Sequence, residues 1–163
     1  MTDAIVRVRM ARLEAAQLAQ LVDDFRELVG SDRDASDPAI RRLVPDPYPD
    51  DDEASRSFRQ ATQEDTLDRR ALDADVVRAA LADLRGDVAS MSQVDAFTEH
   101  SLDIPDSDVD SWLRTLTALR LVIAERLGIE SDDDNDPDDA RFGVYDWLGY
   151  RLELIIEAAD EIL

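Results

Sequence analysis

Apolar residues and arginines alternate over residues 5 to 10, and helical spacing then takes over most of the chain. In IVRVRM the alternation puts Val6, Val8 and Met10 on one face, which predicts a strand. Leu18, Leu21, Val22, Phe25, Leu28 and Val29 form the i, i+3, i+4, i+7 stripe of an amphipathic helix that Gly30 ends. Asp37 before Pro38 predicts an N-cap and a first helical position, with a short helix to about Leu43. Pro45, Pro47 and Pro49 fix their own φ and push the residue before each to extended geometry. Residues 44 to 50 are therefore expected as an ordered, rigid corner with Tyr48 packed inward. Asp50, Asp51, Asp52 and Glu53 follow, suited to a first helical turn whose N–H groups and dipole favour acids.

TQED, Thr62 to Asp65, has the form of a capping box at which that helix can break in two. Leu67, Ala71, Ala74, Val77, Leu81 and Leu84 then carry a long helix to Gly86, and residues 87 to 98 read as an irregular further turn. SLDIP alternates again, so a short strand at about 101 to 104 is expected to pair with residues 5 to 10. Asp106 or Ser107 opens the next helix, with Val109, Trp112, Leu113, Leu116, Ile123 and Leu127 inward and Gly128 as its stop. The last helix, about 139 to 162, is apolar on most sides, with Asp146, Glu153, Glu157 and Asp160 as a narrow polar strip. It is expected at the centre. The fold predicted is mainly α: one domain over 1 to 163, a bundle of about five helices with a two-stranded β-ribbon, and an acidic surface loop at 130 to 139.

Composition changes what such a bundle can do. There are 39 acids against 18 bases, a net charge of −21, and every base is arginine. Charge of that sign repels nucleic acid and anionic lipid. Without cysteine there is no disulfide, thiolate metal site or thiol chemistry. The start, MTDAIVRVRM, lacks the apolar core of a signal peptide, and no apolar run reaches membrane-spanning length, so a cytoplasmic location is expected.

Candidate chemistry thins out on inspection. An EF-hand begun at Asp132 places Asp134 and Asp136 well, but puts Pro137 where glycine is needed and Gly143 where a bidentate glutamate is needed. A di-iron bundle needs Glu-x-x-His pairs, and three residues before His100, the sole histidine, stands Phe97. His100 reads as an ordinary strand-edge residue. Nucleophile-elbow, phosphate-loop and dinucleotide motifs are missing from the sequence, so no enzymatic activity and no cofactor are expected. Phe142, Tyr145, Trp147 and Tyr150 can be read as a base-stacking platform, but with so much negative charge core packing is the better reading. Arg7, Arg9 and Arg12 are candidate nucleic-acid contacts. Their alternative role, to blunt an edge strand, is preferred.

Arg120 lies in phase with Leu113, Leu116, Ile123 and Leu127, so it points at the core and needs a carboxylate from another element. Asp146 of the last helix is the expected partner, in a structural ion pair; Glu153 and Asp103 are the alternatives. Leu152, Leu154, Ile155, Ile156, Ile162 and Leu163 crowd the end of the chain. That surplus is either a homodimer interface or part of one core.

Three stretches, RRLVPDPYPDDDEASRSFRQATQED, WLRTLTALRLVIAERLGI and VYDWLGYRLELI, together resemble an actinobacterial family: the domain-of-unknown-function family numbered twenty-seventeen, whose family-level name is oxidative-stress regulator. The resemblance is carried by Pro45, Asp46, Tyr48, Pro49, Phe58, Arg59, Trp112, Leu113, Arg120, Arg126, Gly128, Tyr145, Asp146 and Trp147. It implies a cytoplasmic regulatory protein linked to transcription and stress. Thiol sensing is closed to a chain without cysteine, and net charge disfavours unaided DNA binding. The expected function is therefore non-enzymatic regulation through a protein partner. The alternative is a direct DNA-binding regulator that uses Arg7, Arg9 and Arg12.

Overall fold

The computed structural model describes residues 4–44, 51–129 and 138–161. Strand β1 (Ile5–Ala11) leads directly into helix α1 (Arg12–Val29). Helices α2 (Pro38–Leu43) and α3 (Asp52–Arg85) follow. A 3-10 turn (Val88–Ser90) and the short α4 (Gln93–Phe97) lead to strand β2 (Glu99–Pro105). The chain finishes with two 22-residue helices, α5 (Asp106–Leu127) and α6 (Ala140–Glu161). The protein is mainly α with a small β-ribbon, as its patterning predicts.

The two strands pair antiparallel, Val6 opposite Ile104, Val8 opposite Leu102 and Met10 opposite His100. Because side chains alternate along a strand, this register sends Val6, Val8, Met10, Leu102 and Ile104 into the core together. Arg7 and Arg9 take the opposite face. The core continues across α1 (Leu18, Val22, Phe25), α3 (Leu67, Val77, Leu81), α5 (Trp112, Leu116) and α6 (Leu148, Ile155). A smaller cluster of Ala124, Ile129 and Phe142 lies at the other end of α5.

Local signals set most helix ends. The Asp37 carboxylate accepts the Ala39 N–H at 2.9 Å, with Pro38 at the first helical position. Asp51 caps α3 through the Ala54 N–H at 3.0 Å. Gly128 takes the left-handed conformation, φ 72°, that closes α5.

Three expectations need correction. TQED does not break the helix, since α3 runs through it as one 34-residue element. Residues 52 to 66 hold no glycine or proline, so N–H groups that a cap would satisfy are already used by the turn before. Helix α6 is not central. It packs on α5 and β1 and leaves Val144, Tyr150 and Ile156 exposed, so its breadth of apolar residues is partly surface. The inward face of α5 also includes Ala118 and Leu119, which the simpler stripe omits, because α5 contacts α2 and α3 on one side and α6 on another. The proline corner, Tyr48 and most of the acidic loop lie outside the described residues, as do Ile162 and Leu163.

The register has a direct test. Ile104→Ala should cost about 2–5 kcal/mol in denaturant unfolding, because Ile104 is fully buried in the ribbon's inner face. Ile5→Ala, on the outer face, should change stability by no more than about 0.5 kcal/mol.

Candidate functional site

Helix α1 has alanine at its N-cap, so the first turn is satisfied from within: Glu14 reaches back to accept the Ala11 N–H at 3.4 Å. Its other oxygen faces α6. There it accepts the Trp147 indole N–H at 2.9 Å and a guanidinium N–H of Arg151. A second N–H group of Arg151 donates to the Arg9 carbonyl at 2.8 Å. One carboxylate and one guanidinium thus join β1, α1 and α6.

Arg151 is only 8% exposed, set among Leu148, Leu152 and Ile155. Burial works to raise the Glu14 carboxyl pKa, but donation from Arg151 and Trp147, the Arg151 charge and the Ala11 N–H hold it below its ordinary 4.5. Arg151 carries the signal that singles out Arg120, a base in phase with an apolar stripe, and sequence reasoning passed over it.

Beside this pair a groove of about 720 Å³ opens between α1 and α6. Leu13, Gln17 and Leu21 form the α1 wall, Gly143, Val144 and Trp147 the α6 wall, and Phe97 of α4 flanks them. Phe97 is 65% exposed and Val144 37%, large apolar groups left to water. A Cβ added at Gly143 would meet nothing within 4 Å. The groove holds no nucleophile with a base beside it.

The other predicted positions are structural in their contacts. Arg120 does reach α6, at the residue before the expected one. Its Nε donates to the Tyr145 carbonyl at 3.3 Å, and its guanidinium carbon lies 4.1 Å from the Tyr145 ring centroid. The guanidinium also fills the space over Gly149, where a Cβ would lie 3.1 Å away. These are a carbonyl and a cation–π contact; Asp146, the carboxylate expected there, lies on an exposed part of the helix. Arg126 forks onto both oxygens of Asp37 at 2.8 Å, so the residue that caps α2 also ties it to α5. Trp112 is buried and Leu113 half-buried. Pro45, Asp46, Tyr48, Pro49 and the side chains of Phe58 and Arg59 lie outside the description.

Of the four aromatics considered for stacking, Phe142 is buried, Tyr145 and Trp147 are half-buried, and Tyr150 is exposed. They share no face. Arg7 pairs with Asp103 opposite at 2.8 Å and Arg9 with Glu99 at 3.3 Å, while Arg12 donates to the Leu84 carbonyl at 3.0 Å. His100 is half-buried on β2. Sequence reasoning also missed Asp73, a 7% exposed carboxylate on α3 that accepts a two-point contact from Arg114 at 2.8 and 3.1 Å and the Ser111 hydroxyl at 2.9 Å. Among the described residues no cluster of His, Cys, Asp or Glu is arranged to hold a metal, and no helix is long and apolar enough to cross a membrane.

These features define a mainly α module whose elements are tied by arginine–carboxylate pairs around a core, with an open, partly apolar groove between α1 and α6. The chain belongs to the family described as Domain of unknown function (DUF2017), whose model matches residues 1–159. It is similar to proteins named Oxidative stress regulator AosR from Mycobacterium tuberculosis (strain H37Rv) and Mycobacterium bovis, each 28% identical over 136 residues. Those matches cover 74% of this chain and 57% of each relative, so the chain spans little more than half of their length. No solved structure matches it.

Loss of the Glu14 carboxylate strands the buried guanidinium, so Glu14→Ala should cost about 3–5 kcal/mol at neutral pH. Because the folded-state pKa is depressed, the part of this contribution that comes from the shift is full above the ordinary 4.5 and is lost as pH falls through the lower folded value. Urea titrations across pH should therefore show a constant gap between wild type and variant down to about pH 5, narrowing below it.

Proposed function

We propose that the chain is a non-enzymatic regulatory module of a stress response that acts by binding another protein in the α1–α6 groove. The observation that carries this reading is the groove itself, with Phe97 and Val144 exposed on a chain whose remaining surface is heavily acidic. The names of the mycobacterial relatives support a regulatory role in stress. Contact with a partner is also the physically economical route for a regulator of net charge −21, because DNA would have to be approached against that field. Arg7 and Arg9 of β1 and Arg12 at the start of α1 already engage Asp103, Glu99 and the Leu84 carbonyl, contacts that phosphate would have to compete with.

Affinity purification on the tagged chain from oxidant-treated and untreated source cells tests the reading, alongside a mobility-shift titration with duplex DNA at low salt. A reproducible stoichiometric protein partner, and no shift at micromolar protein, is the expected result. A salt-sensitive shift with no protein partner would replace this reading by direct DNA binding.

A further inference from the structure

We infer that the groove takes a short amphipathic helix with a basic polar face, contributed by another protein. This rests on the reading of the groove as a docking surface and adds the chemistry of what docks there.

The shape points to a helix. The α6 wall is Ala140, Gly143, Val144 and Trp147, an i, i+3, i+4, i+7 stripe of two turns. Leu13, Gln17 and Leu21 of α1, spaced i, i+4, i+8, lie along one face of the opposite wall. Two helical walls of about 10 Å leave between them the channel into which a third helix sets its own ridge of side chains. Both walls are helical, with their backbone groups already paired, so they offer no ladder to an extended strand. Ala140 and Gly143 keep one wall low, and the space over Gly143 is open, since an added Cβ would meet nothing within 4 Å.

Charge then selects the partner. The arginines beside the α6 wall are already engaged, Arg141 by Asp139 and Arg151 by Glu14. Asp24 lies one turn beyond Gln20, which donates to it at 3.0 Å, and Asp95 is exposed on α4 two residues from Phe97. Against a net charge of −21, a helix with lysine or arginine on its polar face is steered in. A second copy of this chain, with the same net charge, is repelled.

The test uses the full chain and three synthetic 16-residue peptides. One has leucine at i, i+3, i+4 and i+7 with lysine and arginine elsewhere; the second replaces the bases by glutamate; the third scrambles the first. Binding is read from Trp147 emission, since Trp112 is 1% exposed, and from amide chemical shifts. Gly143→Leu is the blocking variant. Its Cβ meets nothing within 4 Å and leucine favours helix over glycine, so its melting temperature should not fall.

The basic amphipathic peptide should bind saturably, shift residues of both groove walls and weaken with salt. The acidic and scrambled peptides, and Gly143→Leu with the basic one, should each bind at least tenfold more weakly. Equal affinity for basic and acidic peptides, or binding that Gly143→Leu leaves intact, would overturn the inference. So would a concentration-dependent dimer that Gly143→Leu abolishes. A cellular partner that co-purifies equally with Gly143→Leu would also overturn it, yet leave the protein-binding reading standing. Recovery of no cellular partner at all would instead count against that reading.

Discussion

The Glu14 carboxylate is the point on which the arrangement of the outer helix depends. It closes the first turn of α1 and accepts from Trp147 and Arg151 of α6, while Arg151 in turn holds the Arg9 carbonyl of β1. Helix α6 rests otherwise on α5 and β1 and leaves much of its apolar surface outside, so packing alone gives it a weak grip on α1. A buried guanidinium tolerates few positions, and the two terminal nitrogens of this one find their acceptors where α6 lies against the start of α1, its Nε being left without one. The same contact sets the end of the groove, since Glu14 and Trp147 are both in its wall.

That device recurs at the other seams. Arg126 on Asp37 and Arg42 on Glu125 join α2 to α5; Arg114 on Asp73 joins α3 to α5; Arg26 with Asp75 and Arg78 with Asp23 join α1 to α3. Arginine suits the task because its planar fork matches a carboxylate at two points. In a chain with 18 bases to 39 acids, arginine committed to seams leaves carboxylates to dominate the surface. Folding and the negative field are thus two results of one allocation, and the field favours basic partners.

Much of the fold was legible because its signals are local. Alternation in IVRVRM and SLDIP marked both strands and their common inner face, and Asp37–Pro38, Gly30, Gly86 and Gly128 marked helix ends. Signals that depend on tertiary neighbours misled. The spacing of TQED matches a cap, but a capping box acts only where a helix begins, and α3 already has its start at Asp51. The apolar breadth of α6 suggested burial on all sides. Some of those residues instead face water or line the groove, and a periodicity pattern does not distinguish an inner surface from an outer one. Arg120 meets the Tyr145 ring and carbonyl on α6, partners that a search confined to carboxylates does not consider. Arg151 carried the same signal as Arg120. Its partner, Glu14, lies 137 residues away, a distance at which spacing says nothing.

A double-mutant cycle on Glu14→Ala and Arg151→Ala, measured by urea unfolding at neutral pH, addresses the central contact most directly. If the pair fixes α6 against α1, each single variant should cost nearly as much as the double, with a coupling energy above about 1.5 kcal/mol. Additive losses, with coupling within about 0.5 kcal/mol of zero, would show that packing on α5 and β1 holds the helix and that the buried pair is incidental.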